Sequence, residues 1–230
     1  MKTSTLLVFA AAFVFFFFAP AFLSSSFPLY TLMKNGDALD LLTPLVLIPL
    51  YWTLYSGASS SPVGRRGMLA FLVLAPLWTL GQGMHLAGNS IGHHLGSLED
   101  TQVYKLTYFY DEVLSHYLWH LGVFGLTALI MVRSWNAPAG TRAGWAVLIL
   151  AVILYGFAFA SITLEGQTWP VGLPFAALAG LIPLLFRRGS LRERPVLGFF
   201  TFAHLLAVVL LVVWAVIEGG FIEPSEILGF

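Results

Sequence analysis

Residues 143–188 read AGWAVLILAVILYGFAFASITLEGQTWPVGLPFAALAGLIPLLFRR. Two apolar runs, 143–163 and 170–186, flank the short polar turn LEGQTWP, and the second ends on Arg187-Arg188. A run of about 20 apolar residues is the length at which a helix crosses a bilayer. Both runs exceed what the core of a soluble domain needs, so the stretch reads as two membrane helices joined by a tight turn.

The same signature recurs in both directions. Further apolar runs lie at about 4–23, 39–56, 67–87, 106–132 and 195–217. The chain of 230 residues is 58% apolar and 10% charged, and its mean hydropathy is +0.86. Soluble domains carry roughly 25% charged residues. The expectation is an all-α polytopic membrane protein, a single domain over 1–230 built as a seven-helix transmembrane bundle. A net charge of zero argues against a nucleic-acid partner. There is no cysteine, which removes disulfide and thiolate chemistry. The N-terminal MKTSTLLVFAAAFVFFFFAPAF has the basic start and small residues of a signal peptide. It is expected to remain as the first helix.

Charge sets the expected orientation. Lys2, Arg65, Arg66, Arg133, Arg142, Arg187, Arg188, Arg192 and Arg194 all fall on one side of the bundle; Lys34 and Lys105 fall on the other. Of the acids, only Glu193 shares the arginine side. Basic residues accumulate in cytoplasmic loops. The N-terminus is therefore expected inside and the C-terminus outside, in a bacterial inner or plasma membrane.

Six histidines are present. GQGMHLAGNSIGHH (81–94) and YDEVLSHYLWH (110–120) hold His85, His93, His94, His116 and His120; His204 lies in the last run. Ionisable groups at membrane depth are costly and mark functional sites. Counting about 1.5 Å per residue from the arginines places His85, Glu112, His116, His120 and Glu165 in the outer part of the bundle and His204 near the midplane. Residues four apart share a helix face. Glu112, His116 and His120 form one stripe, His85, Asn89 and His93 a second, and Asp111 and Ser115 a third.

Imidazole is the commonest metal ligand, and catalytic zinc takes three protein ligands. His85, His116, His120 and His204 are the expected metal ligands. Asp111, Glu112 and Glu165 are the expected acid–base groups, with Asn89, His93 and Ser115 in support. The ligand set favours zinc, with iron or copper as alternatives and haem behind them. The function this implies is an outward-facing metal-dependent hydrolase of a lipid ester or amide, whose partners are membrane lipids and a hydrophobic or amphipathic small molecule. Two alternatives stay open: a di-metal or haem membrane oxidoreductase, with His120 and His204 as axial ligands, and a metal or lipid binding or transport protein. Blander readings also remain. His204 can hydrogen-bond a neighbouring helix, His93 and His94 can be solvated at the interface, and Glu165 can cap the LEGQTWP loop.

In helix number and intramembrane histidines the plan resembles the alkaline ceramidase and progestin/adipoQ-receptor superfamily of zinc hydrolases. That family carries Ser-xxx-His in an early helix, Asp in the next and His-xxx-His in the last. Here Gly81 stands four before His85, Asp111 follows, and His116/His120 lie in the fourth run, with only His204 in the seventh. The resemblance is architectural, and no residue role is carried over from it. The histidine boxes of membrane desaturases are richer and lie on the cytoplasmic side, and the seventh run lacks the lysine of retinal proteins.

Overall fold

The computed structural model describes residues 3–137 and 144–228. Lys2, Arg142 and Ala143, parts of the expected charge pattern and fifth span, lie outside the described residues. The chain opens with α1 (Thr3–Phe18), a 3-10 turn (Ala19–Phe22) and a small antiparallel hairpin, β1 (Ser26–Phe27) and β2 (Tyr30–Lys34). There follow α2 (Asn35–Asp40), α3 (Leu42–Gly57), α4 (Arg65–Gly92) and α5 (Gln102–Tyr108). A π-helical stretch, Phe109–Ser115, leads into α6 (His116–Trp135), then α7 (Trp145–Glu165), α8 (Trp169–Phe186), α9 (Pro195–Ile217) and the short α10 (Pro224–Leu228).

Seven helical segments are long and apolar enough to cross a membrane: 3–22, 35–57, 65–92, 102–135, 145–165, 169–186 and 195–217. They coincide with the seven runs in the sequence. Their outer faces carry large apolar side chains in the open, among them Leu72 and Val73 on α4, Ile149 and Phe157 on α7, and Val209 and Val216 on α9. A soluble protein rarely exposes so much contiguous apolar surface, whereas lipid accepts it. This is the surface of an integral membrane protein.

Three boundaries differ from the sequence reading. The second span begins earlier, because Lys34 and Asp37 cap α2, with the Lys34 amide donating to Asp37 Oδ2 at 2.9 Å. The third runs on to Gly92. The fourth starts at Gln102, so its 34 residues would extend about 51 Å, well beyond a hydrocarbon core of about 30 Å. Its first turns therefore project beyond that thickness.

Lipid is as apolar as the core, so helix association rests on close packing and hydrogen bonds. α4 and α6 meet through glycine. A Cβ at Gly81 would stand 2.6 Å from the Ser115 carbonyl, and one at Gly122 would stand 2.7 Å from Trp78 Cβ. Phe9 of α1 anchors the centre, with ring centroids 4.9 Å from Tyr51 and 5.5 Å from Tyr155. Beside it, Tyr51, Thr127 and Tyr155 join three fully buried hydroxyls from α3, α6 and α7, spaced 3.1–3.4 Å apart.

Candidate functional site

The polar residues gather at the end of the bundle opposite the arginines. His85 projects from α4 towards the π-helical stretch, and its Nδ1 lies 2.8 Å from Asp111 Oδ1. Neither atom has another hydrogen-bond partner. The π geometry (i→i+5 bonding) is a recurrent mark of functional positions. Here it holds Asp111 buried beside α4 while Glu112 stays half-exposed. Ser115, fully buried, turns its hydroxyl back onto the Asp111 carbonyl.

His116 begins α6, and its ring centroid is 4.9 Å from that of His85. Its Nδ1 is 3.8 Å from Glu112 Oε2, too far for a hydrogen bond. Trp119 lies almost parallel to His85 and leaves its own buried Nε1 without a partner. Gly166, just past α7, admits the turn against these rings; a Cβ there would sit 2.8 Å from His120 Cε1.

His120 and His204 share a local motif. The Nδ1 of His120 contacts the His116 carbonyl at 2.8 Å, and that of His204 the Phe200 carbonyl at 2.7 Å. A carbonyl only accepts, so each Nδ1 carries the proton and each Nε2 is a bare acceptor. Both Nε2 atoms are buried without a partner. His116 and His120 are not a matched pair: their rings are 6.3 Å apart and nearly perpendicular. His204 is further separated. It sits among Phe159 (4.7 Å), Phe175 (5.4 Å) and Tyr155 (5.8 Å). Phe124 stacks between this box and His120, 5.7 Å from His120 and 4.7 Å from Phe175. These rings stand between His120 and His204.

The remaining expected residues lie at the rim. Glu165 accepts from the Ser225 amide at 3.1 Å and so caps α10. His93 Nε2 accepts from Lys34 Nζ at 2.7 Å. Partial burial, and then the Lys34 ammonium, hold its pKa below the ordinary value. Asn89, on the same α4 turn, is half-buried. His94 Nε2 donates to the Leu32 carbonyl at 3.0 Å.

Two acids that the histidine pattern did not flag also reach this layer, both on α2. Gln82 Nε2 donates to both Asp40 oxygens at 2.9 Å, and Thr43 Oγ1 donates to Asp40 Oδ1 at 3.1 Å. Asp37 accepts from the Ser90 hydroxyl at 2.9 Å. The signal for them was local: NGDALD at the head of the second run carries two acids one turn apart.

Among the described residues, no three His, Asp or Glu side chains are grouped to hold a metal ion as they stand. The tightest assembly is His85, Asp111 and His116, with Glu112 beside it. No family of known proteins, no curated protein and no solved structure matches this chain.

Proposed function

We propose that this chain is a membrane-embedded hydrolase whose reaction centre is the layer of His85, Asp111, Glu112 and His116, and that this layer faces the extracytoplasmic side. The observation that carries the reading is the 2.8 Å contact of His85 with Asp111 beside the His116 ring. A carboxylate on Nδ1 fixes a histidine in the tautomer whose Nε2 is free for a ligand, the arrangement found behind metal-bound imidazoles. Two imidazoles on one tetrahedral ion bring their ring centroids to about 5 Å, given metal–nitrogen bonds near 2.0–2.1 Å. The 4.9 Å between His85 and His116 suits that.

A divalent ion, zinc by preference, would supply Lewis-acid activation of a carbonyl and of water. The chain's own residues do the rest. Asp111 orients His85. Glu112, half-exposed and close to His116, takes the proton from the attacking water and returns it to the alcohol or amine that leaves as the acyl bond breaks. Tyr108, Phe109, Tyr110 and Val113 lie exposed around the two acids. They offer an apolar approach for an amphipathic ester or amide arriving from the bilayer. The concentration of acids at this end and of arginines at the other supports the outward orientation.

Elemental analysis of the purified, helical full chain tests the centre. Near-stoichiometric metal is expected in the wild type, lost in His85→Ala and His116→Ala and kept in His204→Ala. Asp111→Asn should weaken metal affinity about 10–100-fold, as expected for a carboxylate behind a ligand. A folded wild type that takes up no divalent metal would overturn the reading.

A further inference from the structure

At the arginine end, far from the histidines, α7 and α9 leave a crease of about 250 Å³ lined by Trp145, Leu148, Ile149, Val152 and Phe202. All five are apolar or aromatic. The Arg192 guanidinium lies over the Trp145 ring, 4.8 Å from its centroid, and its Nε is buried with no hydrogen-bond partner. We propose that this crease binds an anionic phospholipid, with one acyl chain between α7 and α9 and the phosphate on Arg192.

The dimensions select a single chain over a helix. Trp145 to Val152 covers eight residues, a rise of about 10 Å along the axis, so the crease starts at the level of Arg192 and descends two turns into the hydrocarbon. A helix is itself about 10 Å across with its side chains and needs a far wider groove. Charge selects the headgroup. Arg192 stands at the mouth over Trp145, in a basic segment with Arg187, Arg188 and Arg194 whose one acid is Glu193. Basic pockets between transmembrane helices are a recurrent site for acidic headgroups. Stacking on Trp145 fixes the guanidinium plane while leaving N–H groups at its edge, a geometry that suits bidentate phosphate better than a flexible ammonium would. Arg194 is less available, because its Nε donates to the Ala137 carbonyl at 3.0 Å.

The test is the thermal stability of the detergent-purified full chain after addition of phosphatidylglycerol or phosphatidylcholine. A ligand that binds only the folded state raises the melting temperature. Phosphatidylglycerol should raise it by several degrees more than phosphatidylcholine does. Arg192→Gln should abolish that difference. Ile149→Trp, at an exposed crease position, should abolish it as well by filling the crease with every arginine in place. Arg188→Gln, away from the stacked pair, should preserve it. Equal stabilisation by the two lipids in the wild type would overturn the proposal. So would a preference that survives in Arg192→Gln or in Ile149→Trp, or one lost equally in Arg188→Gln, since diffuse charge then suffices. Inorganic phosphate reproducing the effect alone would overturn it too.

Discussion

Glu223 stands just outside the last span, in the segment that folds back over the polar end. Trp214 Nε1 and Gln167 Nε2 each donate to carbonyls of this segment, at Ile222 and Phe221, both at 2.9 Å, and Phe221 stacks on Trp169 at 4.4 Å. Burial, and then the neighbouring carboxylates Glu112, Glu165 and Glu226, push the Glu223 pKa up to about 7. A carboxyl raised above its unfolded value, ordinarily near 4.3, favours the fold while protonated. That contribution is complete below the unfolded pKa and is lost as pH rises through about 7. Opening over residues 221–227, read as hydrogen exchange corrected for its intrinsic base catalysis, should therefore increase between about pH 5 and 7, and Glu223→Gln should flatten that profile. A wild-type profile with no added opening across that range would remove the role. The histidines were legible in the sequence because their cost in lipid singles them out. Their partners were less so. Spacing along one helix told that His116 and His120 share a face, but not that His85 of α4 would lie closer to His116 than His120 does. Nor could it tell that His204 would be enclosed by phenylalanines. Those distances depend on how deeply two helices approach, which one-helix periodicity does not encode.

That approach is set at the element scale by glycine. α4 and α6 cross where Gly81 meets the Ser115 carbonyl and Gly122 meets Trp78. A side chain at Gly81 would meet the Trp119 amide and the Ser115 carbonyl and push α6 away from His85. Gly122→Ala should cost about 1–3 kcal/mol through overpacking against Trp78. Gly83→Ala provides the contrast, since a Cβ there meets nothing within 4 Å. It should be neutral or stabilising by up to about 1 kcal/mol from helix propensity. Denaturant titrations of both variants in the same micelle check the pair; equal effects would show that the α4–α6 contact does not depend on this fit. All seven long helices were legible, because a membrane span announces itself by length and apolarity alone. The hairpin at 26–34, α2 and the π-helical stretch were not. They are short, and their geometry comes from contacts with distant residues, such as the Ser90–Asp37 and Gln82–Asp40 hydrogen bonds.

The whole molecule is an electrical gradient laid along a hydrocarbon bundle. Arg65, Arg66, Arg133, Arg187, Arg188, Arg192 and Arg194 mark one end, with Glu193 among them; the other carboxylates and five of the six histidines mark the other, leaving His204 in the middle. Placing charge at both ends keeps the exposed apolar belt between them at bilayer depth. The proposed orientation, histidine end outward, follows the positive-inside bias. The sequence itself makes this easy to check, because it has no cysteine and any introduced thiol is unique. Ser60 lies exposed at the arginine end and Ser97 exposed at the acidic end. In sealed right-side-out vesicles a membrane-impermeant maleimide should label Ser97→Cys and leave Ser60→Cys unmodified until the vesicles are opened. The reverse pattern would turn the bundle over and move the His85–Asp111 layer to the cytoplasmic face. Its substrate would then have to come from the inner leaflet, while the arginine crease between α7 and α9 would face the outer one.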